Sequence, residues 1–124
     1  MNQQRYRVMV VDDSRTIRIT AEGLLQEMGH EVLSCTDGFN AISNMVSFAP
    51  DILFVDMEMP RLDGLQTVRL IRANEKFKQT PIVMLSSKDG IFDMALATAA
   101  GASDYIVKPP SKDSLHAVIE KLLG

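Results

Sequence analysis

Acidic, hydroxyl and amine side chains follow four apolar stretches of this chain, at the points where strands would end. Asp12 and Asp13 follow one stretch, and Asp56, Ser86 and Lys108 each follow another. Oxygen ligands without histidine or cysteine favour Mg²⁺ over zinc, and Mg²⁺ in proteins is commonly completed by a phosphate oxygen. A carboxylate in such a site can accept a phosphoryl group covalently, and a lysine ammonium beside it supplies a further positive charge. The pattern therefore predicts a site for Mg²⁺ and a phosphoryl group.

Asp56 is the best candidate acceptor, because it stands alone while Asp12 and Asp13 form a pair suited to a metal. Three nearby carboxylates repel each other, so at least one would stay protonated unless a cation joined them. Each residue also has an ordinary alternative, since an Asp at a strand end is commonly a turn former, and Asp13 could cap a helix. Asp63 is interpreted as a turn residue rather than a ligand. The convergence of four strand ends on one chemistry favours the site.

Five short apolar runs are predicted to be strands, over residues 6–11, 31–35, 51–55, 81–85 and 104–107. The third is apolar enough to be covered on both faces, as a central strand of a parallel sheet is. Amphipathic stretches alternate with these runs, which predicts an α/β fold with a parallel sheet between two layers of helices. Ligands of open parallel sheets bind beyond the carboxyl ends of the strands, which is where the polar residues fall.

Five helices are predicted to alternate with the strands. Ser14 can cap the first helix, and Gly29 is placed to end it. The apolar face of the second is predicted to consist of Phe39, Ile42, Met45 and Val46. The third is marked by Leu65, Val68 and Ile71. The fourth occupies residues 89–100 before Gly101, and Ser111 can cap the fifth.

Length and composition fit one domain spanning residues 1–124. A hydrophobic fraction of 46% and a charged fraction of 23% are ordinary for a globular domain of 124 residues. The net charge of −3 gives no electrostatic reason to bind nucleic acid or an anionic membrane. Cys35 is the only cysteine and no signal peptide is evident, so we expect a cytoplasmic location. His30 and His116 are interpreted as surface histidines.

Four segments carry a resemblance to a known family. They are "VVDDS", "VDMEMPRLDG", "MLSS" and "YIVKP", in that order and spacing. With them, the chain resembles the receiver domain of two-component response regulators over essentially its whole length. The resemblance implies a doubly wound, flavodoxin-like α/β fold, with five parallel strands in the order 2-1-3-4-5 and five helices. It also implies signalling, rather than enzymatic turnover, as the main role.

The resemblance implies a role for each acidic residue of the site. Asp56 would receive a phosphoryl group from a phosphohistidine on a partner histidine kinase. Asp13 and Asp56 would bind Mg²⁺ directly, with Asp12 assisting, and the backbone carbonyl of Glu58 would supply a further ligand.

The resemblance also implies a switch. Ser86 and Lys108 would contact the phosphoryl group, and Tyr105 matches the aromatic residue that turns inward on activation. The Lys108–Pro109 bond is expected to be cis, which an X-Pro bond permits at small cost. Pro110 departs from the family pattern, in which an aromatic residue is common after Lys-Pro, so we expect a stiffer and less apolar output loop.

The downstream partner is expected to bind the surface formed by the fourth strand, fourth helix, fifth strand and fifth helix. The sequence ends after the last helix, so it resembles stand-alone, chemotaxis-type regulators, which signal by protein contact and are monomers by default. "PRLDGLQT" and "TPIVMLSSKDGIFD" look most like regulators of type IV pilus chemosensory systems, which control twitching motility. A receiver fragment of a larger regulator with an output domain would look the same.

The resemblance implies that Glu58 and Lys88 flank the acceptor at positions that influence how water attacks the acylphosphate. We hypothesise that they form an ion pair across the mouth of the site and slow the loss of phosphate. Two solvated side chains are an equal alternative, because exposed pairs contribute only about 0–1 kcal/mol.

Three other functions use similar residues or topology. A haloacid dehalogenase-like phosphatase also has a nucleophilic Asp, but usually after its first strand and followed two residues later by a second Asp. A flavodoxin-like electron carrier needs a loop rich in Ser, Thr and Gly where this chain has "DDSRT". A binding-only receiver would not need all of the polar residues that this chain retains, namely Asp12, Asp13, Asp56, Ser86 and Lys108.

Overall fold

Five parallel strands form one sheet at the centre of the molecule, and the computed structural model describes residues 4–124. The strands are β1 (Arg7–Val11), β2 (Glu31–Cys35), β3 (Ile52–Asp56), β4 (Ile82–Ser86) and β5 (Asp104–Val107). They lie in the order β2-β1-β3-β4-β5, and every neighbouring pair is parallel. The predicted strand order and parallel sheet are confirmed. β3 and β4 begin and end one residue later than predicted, so Asp56 and Ser86 are the last residues of their strands.

Five helices connect and follow the strands, as predicted. They are α1 (Arg15–Glu27), α2 (Gly38–Phe48), α3 (Gly64–Arg72), α4 (Ile91–Ala100) and α5 (Lys112–Leu123). The side chains of Ser14 and Ser111 cap α1 and α5, as their positions in the sequence predict. Asp63, which was predicted to be a turn residue, instead caps α3 in a reciprocal capping box with Gln66. Gly101 ends α4 in the left-handed region at φ 115°.

The core has two layers, one on each face of the sheet. Alternate strand residues face α2, α3 and α4, including Met9, Val11, Leu53, Val55, Ile82 and Met84. The residues between them face α1 and α5, including Val8, Val10, Ile52, Phe54, Val83 and Leu85. β3 and β4 are buried along their entire length, and this two-sided burial explains their unbroken apolar sequences.

The predicted apolar face of α2 is partly wrong. Phe39 and Val46 are exposed, at 56% and 63%, whereas Ala41 and Met45 are buried. α2 packs so closely that a Cβ atom on Gly38 would overlap the side chain of Thr67 in α3. The inward face begins with the small residues Gly38 and Ala41 and continues with Met45, whereas Phe39 and Val46 are turned outward.

The interpretation of His30 as a surface residue is also wrong. His30 is only 9% exposed, and its Nδ1 accepts a hydrogen bond of 3.1 Å from the backbone N–H of Tyr6. Burial, and secondly the charge of His116, lower the pKa of His30, so the neutral ring is favoured. His116 itself is exposed, as expected.

None of the helices formed by residues 4–124 combines the length and the apolar character needed to span a bilayer. Cys35, the single thiol, is buried at the end of β2, and burial raises its pKa to about 11. It therefore has the character of a packed core residue rather than a reactive group.

Candidate functional site

Three carboxylates meet at the carboxyl edge of the sheet, where β1 and β3 end side by side. One oxygen from each of Asp12, Asp13 and Asp56 lies within 4.8 Å of the others. Asp12 and Asp56 are 0% and 1% exposed, whereas Asp13 is exposed. The buried strands β1 and β3 therefore place the carboxylates of Asp12 and Asp56 at the bottom of the site, and Asp13 lies at its edge.

Backbone groups hold the two buried carboxylates in place. Oδ1 of Asp12 accepts a hydrogen bond from the backbone N–H of Ser14 at 2.8 Å, and Oδ1 of Asp56 accepts one from the N–H of Glu58 at 3.1 Å. The guanidinium of Arg18 donates to the carbonyl oxygen of Asp12 at 2.8 Å. Arg18 was not predicted from the sequence to belong to the site. It lies four residues after the Ser14 cap, one turn into α1, so its side chain can reach the backbone before the helix.

Lys108 bridges the buried carboxylates. Its Nζ donates a hydrogen bond of 2.9 Å to Oδ1 of Asp56 and lies 3.0 Å from Oδ2 of Asp12. The contact with Asp12 is an ion pair without hydrogen-bond geometry, and this fully buried Oδ2 has no hydrogen-bond partner within residues 4–124. The bond from Lys108 to Pro109 is cis, as expected, and Pro110 is buried, so it adds nothing to the exposed surface of its loop.

The electrostatics of the site oppose full ionisation of its acids. Burial, followed by the charge of Asp12, raises the pKa of Asp56 to about 7, although the hydrogen bond from Lys108 acts in the opposite direction. Burial alone would lower the pKa of Lys108, but its contacts with Asp56 and Asp12 outweigh burial and raise it. Three carboxylates face one ammonium, so the site lacks positive charge when all of these groups are ionised.

A hard divalent cation would supply the positive charge that the site lacks. The three side chains offer only oxygen ligands, which Mg²⁺ prefers, and the buried Oδ2 of Asp12 has an ion pair with Lys108 but no hydrogen bond. The exposed position of Asp13 leaves room on that side for the waters that Mg²⁺ retains. The residues present are therefore suited to a magnesium ion.

A chain of hydrogen bonds joins the site to β5. The hydroxyl of Ser86 donates to the carboxylate of Glu58, at 3.1 Å to Oε2 and 3.3 Å to Oε1. The Ser86 oxygen in turn accepts from the backbone N–H of Lys88 at 3.1 Å. The carbonyl of Lys88 accepts from the phenol of Tyr105 at 2.7 Å. Ser86 thus reaches the acidic cluster through Glu58, and Tyr105 is connected to the same chain.

The hypothesis of an ion pair between Glu58 and Lys88 is wrong for this structure. Within residues 4–124 the Lys88 ammonium makes no salt bridge, and the Glu58 carboxylate accepts from Ser86 instead. Ser86 is fully buried beside Glu58, and a buried hydroxyl needs a hydrogen-bond partner. An exposed lysine loses little by remaining in water.

A comparison with protein families decides the classification. The family described as the response regulator receiver domain matches residues 8–120. The chain belongs to the response regulator receiver family. Membership decides against the phosphatase of the haloacid dehalogenase class and against the electron carrier, whose site residues differ.

Other receivers resemble this one over nearly its whole length. Protein PilG of Pseudomonas aeruginosa is 51% identical over 114 residues, which cover 92% of this chain and 84% of PilG. Chemotaxis protein CheY1 of Helicobacter pylori is 35% identical over 120 residues, covering 95% of this chain and 97% of CheY1. The structure of Vibrio cholerae chemotaxis protein CheY4 superposes with a TM-score of 0.91 at 30% identity, covering 97% of this chain and all of that one.

We expect Asp56→Asn to stabilise the metal-free receiver in a pH-dependent way. The folded-state pKa of about 7 lies above the ordinary value of 3.8, so the Asp56 carboxyl stabilises the fold below about pH 4, and this contribution is lost as the pH rises through about 7. Asparagine keeps an acceptor oxygen for Lys108 and does not ionise. The variant should therefore match wild type at pH 4 and exceed it by about 1–3 kcal/mol at pH 8.

Urea unfolding in the presence of a chelator, at both pH values, measures this difference. Added Mg²⁺ should then stabilise wild type more than Asp56→Asn, because the variant offers a cation one carboxylate fewer. A variant that is less stable than wild type at pH 8 without metal would contradict the inference that burial of the ionised Asp56 carboxylate destabilises the fold.

Proposed function

We propose that this chain is a phosphorylation-activated response regulator of a two-component or chemosensory system, in which Asp56 accepts a phosphoryl group from a histidine kinase. One observation carries the proposal. The Asp56 carboxylate is buried between two further carboxylates and the Lys108 ammonium, at the sheet edge that admits ligands. No structural role needs three acids and a lysine in that arrangement, since a buried ion pair seldom adds net stability.

The hydrogen bonds suggest which oxygen attacks. Lys108 and the N–H of Glu58 both donate to Oδ1 of Asp56, and Oδ2 accepts none from residues 4–124. In the proposed transfer, Oδ2 forms a bond to phosphorus while the bond from phosphorus to the kinase histidine nitrogen breaks. The electron pair of that bond stays on the leaving imidazole.

The residues proposed to hold Mg²⁺ are Asp13 and Asp56, with Asp12 assisting and the carbonyl of Glu58 as a further ligand. When bound, Mg²⁺ would offset the carboxylate charge and contact the oxygens of the transferred group. Lys108 supplies the second positive charge at the same place.

Output follows from the charge added at Asp56. A phosphoryl group brings about −1.5 to −2 charge and three strong acceptor oxygens, so Ser86 and Lys108 gain a new acceptor. Ser86 accepts a hydrogen bond from the N–H of Lys88, and the carbonyl of Lys88 accepts one from Tyr105. Movement of Ser86 therefore changes the hydrogen-bonding environment of Tyr105. The change is a shift between two states of one fold.

The surface of β4, α4, β5 and α5 is the proposed contact for a downstream protein. Four large apolar residues are exposed on α4 and β5, namely Ile91 at 87%, Phe92 at 74%, Met94 at 36% and Val107 at 40%. Such a patch is typical of a protein–protein interface. The net charge of −3 does not favour nucleic acid or an anionic membrane as the partner. We propose that the partner belongs to a motility system, and specifically to pilus-based twitching motility, as the segments quoted above imply.

The remaining parts of the proposal concern the molecule as a whole. Residues 1–124 form a single receiver domain that works as a cytoplasmic monomer. Its main role is to pass on a signal, rather than to turn over a substrate.

Phosphorylation with a small donor tests the central step. Wild type incubated with acetyl phosphate and Mg²⁺ should gain the mass of one phosphoryl group, and Asp56→Ala should gain none. Chelation of Mg²⁺ should suppress labelling by at least about tenfold, because one lost metal contact of about 1.4 kcal/mol already gives that factor. Equal labelling of the two proteins would refute the assignment.

A further inference from the structure

The Glu58 carboxylate is the present acceptor for the Ser86 hydroxyl, and the function proposed above does not use this contact. Ser86 is fully buried, and Glu58 is exposed at the mouth of the site. Both carboxylate oxygens lie within 3.3 Å of the Ser86 oxygen. A hydroxyl has only one proton to donate, so Ser86 cannot serve Glu58 and a phosphoryl oxygen on Asp56 at full strength together.

We propose that Glu58 is a positioning residue that restrains activation by holding the Ser86 hydroxyl in the resting state. This inference rests on the proposed function, because it requires a phosphoryl group on Asp56 as the competing acceptor. In that competition Ser86 exchanges one negatively charged acceptor for another. The hydrogen bond to Glu58 is lost in the exchange, and its free energy is subtracted from the free energy that the phosphoryl group gains by contacting Ser86.

The restraint extends beyond Ser86. The Ser86 oxygen fixes the N–H of Lys88, and the carbonyl of Lys88 receives the Tyr105 phenol. Glu58 therefore sets the position of the segment that carries the acceptor for Tyr105. Its effect should reach β5, although Glu58 itself follows β3.

A double-mutant cycle with beryllofluoride, a non-covalent analogue of the phosphoryl group, tests the restraint. Affinity for beryllofluoride at saturating Mg²⁺ is measured by calorimetry for wild type, Glu58→Ala, Ser86→Ala and the double variant. Glu58→Ala should bind about fivefold more tightly than wild type, since a typical hydrogen bond contributes roughly that factor. The same change made in the Ser86→Ala background should have almost no effect, because no hydroxyl remains to be released.

Asp89→Ala controls for charge, since Asp89 is an exposed carboxylate three residues after Ser86 and has no bond to it. It should bind with nearly wild-type affinity. Glu58→Ala should also fold normally because Glu58 is exposed, and thermal unfolding of each variant verifies this.

The outcomes separate the two proposals. Tighter binding that requires Ser86 supports the restraint. Tighter binding that persists without Ser86 assigns the effect to charge repulsion and overturns it, as does unchanged affinity in Glu58→Ala. Failure of wild type to bind beryllofluoride with Mg²⁺ overturns the proposed function, and the restraint with it.

Discussion

Lys108→Met is expected to lower the free energy of unfolding of the metal-free protein by about 3–5 kcal/mol at pH 8. Lys108 is the cation that lies between Asp12 and Asp56, with its Nζ 3.0 Å and 2.9 Å from their oxygens. Methionine fills a similar volume without charge, so two buried carboxylates would face each other without a counter-ion. Removal of one partner from a buried ion pair is costly for this reason.

The loss should depend on pH and on metal. Without Lys108 the pKa of Asp56 rises further above its present value of about 7, so protonation at pH 5 relieves the repulsion and the loss should shrink. Mg²⁺ should restore part of the stability at pH 8, because it replaces the missing positive charge.

Lys112→Met provides the matched control for Lys108→Met. Its Nζ lies 3.0 Å from Glu27, but both side chains are more than half exposed, at 57% and 63%. Removal of such a pair should change stability by no more than about 1 kcal/mol, with little dependence on Mg²⁺. Equal losses in both variants, measured by urea unfolding, would contradict the electrostatic account of the site.

Gly64→Ala is expected to destabilise the protein by about 3 kcal/mol or more and to impair phosphorylation. A Cβ at this position would overlap the carbonyl oxygen of Asp56, and it would lie 2.7 Å from the Cα of Met57 and 2.8 Å from the Cε of Met84. Two of these neighbours are backbone atoms of residues 56–58, here called the acceptor loop because Asp56 is the proposed phosphoryl acceptor. Relief of the overlap therefore requires movement of Asp56. The N–H of Gly64 also donates to the carbonyl of Met57 at 3.0 Å, which ties the start of α3 to this loop.

Gly23→Ala is the control for Gly64→Ala. Gly23 lies within α1, and a Cβ there would meet no atom within 4 Å. Alanine should stabilise the helix by about 0.5–1 kcal/mol through its higher helix propensity. Thermal unfolding should therefore shift in opposite directions in the two variants, and labelling by acetyl phosphate should fall only in Gly64→Ala. Normal labelling of Gly64→Ala would show that the acceptor loop tolerates the displacement.

Much of the architecture could be predicted because local patterns and global topology agree. Strands buried on both faces require unbroken apolar runs, and polar residues directly after them mark the edge where ligands bind. Hence the five strands, the five helices and the convergence of Asp12, Asp56 and Lys108 on one edge could be expected from spacing alone. The order of the strands came from the resemblance to receivers.

Packing across the sequence could not be predicted in the same way. Both faces of α2 carry apolar residues, and its sequence alone does not show that Ala41 is turned inward and Phe39 outward. Nothing near His30 in sequence indicates that the backbone of Tyr6, 24 residues away, will use its ring nitrogen.

The contacts of long polar side chains were also difficult to predict from the sequence. Charge matching suggested Lys88 as the partner of Glu58, but burial of the Ser86 hydroxyl decided the contact. Arg72 is a similar case, because its guanidinium donates to the carbonyls of Gly101, Phe77 and Thr80 and to the hydroxyl of Ser103. These acceptors lie on two connections, from α3 to β4 and from α4 to β5, which become neighbours only in the folded chain.

Direct localisation of the modified residue tests the central claim best. Wild type is treated with acetyl phosphate and Mg²⁺ and then reduced with borohydride, which converts an aspartyl phosphate into an alcohol, and its peptides are sequenced by mass spectrometry. One oxygen from each of the three carboxylates lies within 4.8 Å of the others, so total labelling alone does not distinguish them. We expect the reduced side chain at Asp56 alone, with Asp12 and Asp13 unchanged. Reduction at Asp12 or Asp13, or at none of the three, would contradict the assignment of Asp56 as the acceptor.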